Sequence, residues 1–204
     1  MKTTTPNIRE EVQRKLNELA RIRDRVLPVK VGRAAVNLTK ENFRQGGFYG
    51  RPWQQPKRRT LGFKGATGGY GPLLSGSNHL MNSNEYKAET AKVYIRNPLV
   101  YAAIHNDGGD ITVTAKMKKY FWYRFKQAQG NSGTAPAGRR AGGRNSGVLS
   151  PEAGFWKAMA LKRVGSKIHI PKRQFLGTAP KLEREITRII ESELINFIRN
   201  GRTT

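Results

Sequence analysis

The sequence predicts an α+β fold in which a small antiparallel β-sheet packs against long N- and C-terminal helices, with an extended arm and a basic, aromatic helical insertion between them. Three observations carry this. Apolar residues recur at helical spacing near both ends, short β-branched runs lie in the middle, and two glycine-rich stretches hold no period at all. At 204 residues the chain has material for one well-packed domain, so a single domain over 1–204 is expected.

Between Pro6 and Pro28, the residues Ile8, Val12, Leu16, Leu19 and Val26 draw one apolar stripe along a helix. Thr5 before Pro6 suits a cap and a first helical position, and Pro28 is expected to stop or kink the helix. A second helix is expected from about Val31 to Gln45, with Ala35 and Leu38 inward and Gly46 and Gly47 at its end. From there to about Leu80, runs such as GGFYGRPWQQPKRRT and GATGGYGPLLSGSNHL lose all period. A compact domain carries a stretch of that length for a functional reason, so 46–80 reads as an arm that orders against a neighbour.

Order returns at Glu89, where Ala91, Val93 and Ile95 alternate with Lys92, Tyr94 and Arg96 as in a half-buried strand. Ile111 to Thr114 and Lys167 to Ile170 are two further strand candidates, rich in β-branched residues and close to glycine. The insertion covers 115–160. Thr114 caps a helix from Ala115 to about Gln129 with Met117, Tyr120, Phe121 and Phe125 on one side and lysines around them. Residues 130–149 are of low complexity and read as a flexible cationic loop. A short helix follows, with Ser150 as cap, Pro151 at its start, and Phe155, Trp156 and Met159 turned inward.

The last helix is marked by Leu182, Ile186, Ile189, Ile190, Leu194, Phe197 and Ile198 between Lys181 and Arg199, with Thr178 at its start and Gly201 at its end. Glu183 and Glu185 near its N-terminus and Arg199 near its C-terminus complement the helix dipole.

Charge dominates the composition. Lys and Arg number 38 against 14 Asp and Glu, a formal charge of +24 that favours anionic partners. Without cysteine there are no disulfides or thiolate metal sites, and the default compartment is the cytoplasm. No apolar signal-peptide core and no stretch of ~18 apolar residues occurs, so no membrane partner is expected.

Catalytic chemistry finds little material. The three histidines, His79, His105 and His169, are dispersed, and an isolated histidine is more often a hydrogen-bonded structural residue than a ligand or base. There is no GxSxG elbow and no GxxxxGK[ST] phosphate loop, and the carboxylates fall mostly on the two amphipathic helices. No enzyme activity, metal or cofactor is expected. What remains is cationic: Lys57, Arg58 and Arg59; Lys116, Lys118 and Lys119; Arg139 and Arg140. Such clusters bind phosphates without reading sequence, which keeps a non-sequence-specific nucleic-acid-binding protein open as the alternative function. Phe121, Trp122 and Tyr123 among lysines suit base stacking, although aromatics at helical spacing more often build a core or a subunit contact.

Two distant segments belong together: VYAAIHNDGG at 100–109, and IHIPKRQFLGTAP at 168–180, which leads into the last helix. They resemble the phage virion morphogenesis family, the tail completion or head-to-tail joining proteins of tailed phages and Mu-like prophages. The family's YAxxHxxGG segment reads here as Tyr101, Ala102, His105, Gly108 and Gly109, and its IPxRxFLG segment as Ile170, Pro171, Arg173, Phe175, Leu176 and Gly177. Weaker matches are the N-terminal helix, Trp53 in GRPWQ, and LLSGSNHLMNS.

As scaffold, these motifs make physical sense. Gly108 and Gly109 allow a tight turn after a strand that presents His105 at the bend; Pro171 restricts the strand exit; Phe175 and Leu176 plug the core; Gly177 leaves room before the helix. The resemblance implies a homo-oligomeric ring, expected as a hexamer, which completes the tail or joins it to the head. Its implied partners are the tail tube, the head-connector or neck proteins, and genomic DNA passing through the lumen. Its implied place is the virion tail or neck, with the host cytoplasm during assembly.

Overall fold

The computed structural model describes residues 7–130 and 149–200. In chain order the elements are α1 (Ile8–Arg21), a π-helical turn (Ile22–Val26), α2 (Leu27–Gln45), β1 (Gly47–Phe48), β2 (Arg51–Pro52), α3 (Lys57–Thr60), α4 (Ala66–Gly69) and α5 (His79–Asn82). They continue with β3 (Glu85–Glu89), β4 (Lys92–Arg96), α6 (Ala102–Asp107), β5 (Gly109–Thr112), α7 (Ala115–Gly130), α8 (Pro151–Leu161), β6 (Lys167–Ile170) and α9 (Pro180–Asn200). The fold is α+β, with long helices toward both ends. In place of one small sheet, the strands form three separate antiparallel pairs, β1–β2, β3–β4 and β5–β6. The chain forms two compact units: one takes Met1–Pro52, Leu80–Ala102 and Gln174–Thr204 and holds β1–β2 and β3–β4, the other takes Trp53–His79 and Ala103–Arg173 and holds β5–β6.

In the first unit Asn7 caps α1, its side chain accepting the Arg9 amide at 3.2 Å, while the expected Thr5–Pro6 start lies outside the described residues. Pro28 neither stops the helix nor opens a loop. The chain stays in the right-handed helical region from Arg21 through Leu27 by way of the π turn. Pro28 then falls in the first turn of α2, where a missing amide costs little. Gly46, at φ 68°, ends α2 by donating its amide to the Asn42 and Phe43 carbonyls.

The β3–β4 hairpin lies on α2, with Glu85 opposite Arg96 and Glu89 opposite Lys92. Gly32 permits this approach, because a Cβ there would fall inside the Tyr86 ring. The β4 alternation holds, with Val93 and Ile95 half-buried, whereas β3 is not among the strands expected from the sequence. Its sequence EYKAE alternates only Tyr86 and Ala88 with charged residues, and four of its five residues are exposed. Along α2 runs α9, joined to it by Lys30 Nζ and Glu193 Oε1 at 2.6 Å. Phe43 and Phe175, 0% and 1% exposed, stack at 5.1 Å between ring centres, and Ile22, Ala35 and Val36 complete the core. Each such phenylalanine contributes roughly 1.5–3 kcal/mol by leaving water. Helix α9 begins at Pro180, with Glu183 donating its amide to the Ala179 carbonyl, two residues beyond the expected Thr178; Gly201 lies outside the described residues.

In the second unit Thr114 accepts the Met117 amide at 3.2 Å and Ser150 accepts the Ala153 amide at 3.2 Å, as caps of α7 and α8. The two helices pack through Phe121 and Ala128 on one side and Ala153 and Ala160 on the other. Phe63 packs against α8, 5.5 Å from Phe155 and 6.1 Å from Trp156 between ring centres. The stretch 46–80, expected as an arm, therefore carries short elements and buried anchors: Trp53 is 6% exposed and Phe63 7%. Most of 130–149 lies outside the described residues.

Candidate functional site

Two features of the second unit stand out: a corner built from distant segments, and one face of α7. At the corner β5 and β6 pair with Gly109 opposite Ile170 and Thr112 opposite Lys167. Here the glycines follow a helical turn, α6, and not a strand. AAIHND is too short and too mixed in polarity to show a helical period. Gly108 has φ 77°, and a Cβ there would come within 2.8 Å of the Lys172 amide nitrogen. Only glycine lets the two segments close.

The Arg173 amide donates to the His105 carbonyl at 2.9 Å, and Arg173 Nε donates to the Gln54 carbonyl at 2.9 Å. Burial, and secondarily the Arg173 charge, holds the His105 imidazole below its ordinary pKa of 6.5. Arg173 is itself pushed down by burial and by Arg58. Arg58 donates through Nη2 to the carbonyls of Gly71 at 2.8 Å and Leu74 at 3.1 Å. Its guanidinium thus fastens the glycine-rich stretch, a use that its place in a KRR run does not reveal.

Pro171 follows β6 in the second unit, and Tyr101, Phe175, Leu176 and Gly177 lie in the first. Phe175 is the core plug, and Leu176 is half-buried beside it in sequence. Gly177 has φ 147°, and a Cβ there would strike the Gln174 side chain. Tyr101 is 42% exposed.

On α7 the side turned from α8 carries Lys116, Lys119, Tyr123 and Lys126, all exposed and spaced by three, four and three residues. Tyr120 at 49% and Trp122 at 38% exposure flank that row, and Lys118 is half-buried. Lys126 and Tyr123 complete a surface that attention to the KMKK run alone misses; the helical spacing is the signal that finds them. Arg124 points the other way, 5.0 Å above the Trp156 ring and 3.5 Å from Glu152. Lys57 and Arg59 are exposed on α3, with Arg59 donating to Gln55 at 3.2 Å. Arg139 and Arg140 lie outside the described residues.

Among the described residues no group of His, Asp and Glu is placed to hold a metal ion, and no helix is long and apolar enough to cross a membrane. The second unit thus combines a glycine-fastened corner with a cationic, aromatic helix face. The model of the phage virion morphogenesis family matches residues 8–195, and the chain belongs to that family. Its role is accordingly structural, in virion assembly, and it associates with the virion. No curated protein and no solved structure matches the chain.

Proposed function

We propose that the protein completes the phage tail or joins it to the head as a homomeric ring, expected to be a hexamer, around the DNA channel. One observation carries this reading. Asp107, Asp110 and Glu152 are the only carboxylates in 53–79 and 103–173, stretches that hold eighteen Lys and Arg. Such a surface, facing a lumen, neutralises passing phosphates while making no demand on base sequence. The tail tube and the head-connector or neck proteins are its proposed protein contacts, the tail or neck its place in the virion, and the host cytoplasm its place during assembly.

The exposed Tyr120, Trp122 and Tyr123 favour a second reading, a free nucleic-acid-binding protein whose aromatics stack on bases. Light scattering at several salt concentrations, with electron micrographs of the same sample, tests the choice. A closed ring that persists in high salt supports the tail or neck role. A monomer or dimer whose DNA affinity falls steeply with salt supports the alternative.

A further inference from the structure

Among the described residues Arg173 is the one buried cation, and no carboxylate answers it. It is 9% exposed, and its side chain makes a single hydrogen bond, from Nε to the Gln54 carbonyl at 2.9 Å. Arg58, on the neighbouring α3, is in a similar state. Its Nη2 donates to the carbonyls of Tyr70, Gly71 and Leu74 at 3.4, 2.8 and 3.1 Å, while its Nε is buried without a hydrogen-bond partner. Both Nη atoms of Arg173 and Nη1 of Arg58 have no hydrogen-bond partner among the described residues, yet they are not shut off from solvent.

The two guanidiniums feel each other. Burial and then the Arg58 charge push the Arg173 pKa down, and Arg173 in turn acts on His105, whose carbonyl accepts its amide. The three carboxylates of the second unit are engaged elsewhere: Asp107 with Asn106, Asp110 with His169, and Glu152 with Arg124. Backbone carbonyls orient a guanidinium without neutralising it, so like charges held together out of water oppose folding. An oxyanion supplies what the carbonyls do not, negative charge and acceptors for the remaining N–H groups. One guanidinium fork already fills a carboxylate; two forks match the additional oxygens of a phosphate.

We propose that this corner is a phosphate-binding site, in which the Nη atoms of Arg173 and Nη1 of Arg58 hold one phosphate group, either free or in a nucleic-acid backbone. It differs in kind from the lysines of α7, which neutralise charge diffusely along a helix surface. It also goes beyond the channel reading, because it stands whether or not the protein forms a ring.

The test is melting followed by tryptophan fluorescence, all three tryptophans lying in the second unit, in inorganic phosphate against sodium chloride of equal ionic strength, with calorimetry of phosphate binding. Phosphate should stabilise wild-type protein beyond chloride, and the effect should saturate. Arg173→Lys keeps the charge and a donor for Gln54 but removes the fork, and should bind inorganic phosphate roughly tenfold more weakly. The joint replacement of Lys116, Lys119 and Lys126 by alanine should bind it as wild type does. A short DNA duplex is the second probe. Weaker duplex binding by Arg173→Lys, with displacement of the duplex from wild type by inorganic phosphate, assigns the site to a backbone phosphate. Unchanged duplex binding, with phosphate affinity lost, assigns it to a free one. Equal stabilisation of wild type by phosphate and chloride overturns the proposal without recourse to any variant. Phosphate affinity left intact by both Arg173→Lys and Arg58→Lys overturns it as well, and neither result bears on the ring, which light scattering tests separately.

Discussion

In the first unit a good share of the positive side chains are answered close by: Glu11 meets Lys15 at 3.7 Å, Glu18 meets Arg21 at 2.7 Å, Glu41 meets Arg44 at 3.4 Å and Glu185 meets Arg188 at 2.6 Å. In the second, Glu152 reaches Arg124 and Asp110 reaches His169, and most of the described lysines have no carboxylate near them. Exposed pairs of the first kind add little stability, but they quench the local field. The unanswered charges of the second unit leave a net positive field at its surface. One chain thus separates a unit with many locally paired charges from one whose positive charges are largely unpaired. The chromophores follow the same division. Trp53, Trp122 and Trp156 and all three histidines fall in the second unit, so tryptophan fluorescence and mildly acid pH read that unit alone.

The largest expected effect is on the first unit. Phe175→Ala removes a side chain 1% exposed against Phe43 and should cost about 3–5 kcal/mol, whereas Tyr101→Ala, at a 42% exposed position, should cost under ~1 kcal/mol. Melting of Phe175→Ala followed by far-ultraviolet circular dichroism should begin well before the tryptophan transition. Coincident transitions would show that the two units unfold as one and would break the comparison.

Gly108→Ala attacks the second unit instead. It combines a left-handed φ of 77° with a Cβ 2.8 Å from a backbone nitrogen, and should cost ~1–3 kcal/mol. Here the tryptophan transition should move first. A variant as stable as wild type would mean that the corner relaxes at no cost.

These two positions also show what the sequence makes legible. Phe175 and Gly108 are readable because a buried ring and a left-handed turn each demand a particular residue type locally. Likewise α7 and α8 follow from their caps at Thr114 and Ser150, and β4 from its alternation. What is not legible depends on distant atoms. Strand β3 forms because β4 and α2 hold it, not because EYKAE prefers to be extended. Pro28 defeats a local reading because a π turn, which has no signature in the pattern of apolar residues, absorbs it. The stripe on α1 is plain in the sequence, yet periodicity does not say whether its partner is the same subunit. Arg58 looks like any cation in a basic run, and only the carbonyls of Gly71 and Leu74 distinguish it.

A smaller effect separates binding from folding in the second unit. Replacing Lys116, Lys119 and Lys126 together by alanine should leave melting unchanged, because all three are exposed. The salt dependence of DNA binding should become shallower by about 0.9 in logarithmic slope for each phosphate that is no longer neutralised. An unchanged slope would move the phosphate-facing surface away from α7, to Lys57 and Arg59 or to the stretch containing Arg139 and Arg140.

The smallest effect is pH dependence at the corner. His105 is held below 6.5 by burial and by Arg173, so the folded state keeps the imidazole neutral where the unfolded chain protonates it. Above pH 6.5 neither state binds that proton, and the contribution to stability is fully present. As pH falls from there toward the folded-state value the unfolded chain takes up a proton that the folded chain refuses, and stability declines; below that value the deficit is constant. His105→Asn should flatten the tryptophan-monitored stability profile below pH 6.5 relative to wild type. Because the first unit contains no histidine, its dichroism transition should show no such difference between the two proteins. An equal slope in both proteins would place the acid sensitivity at another group and leave His105 solely as the backbone acceptor for Arg173.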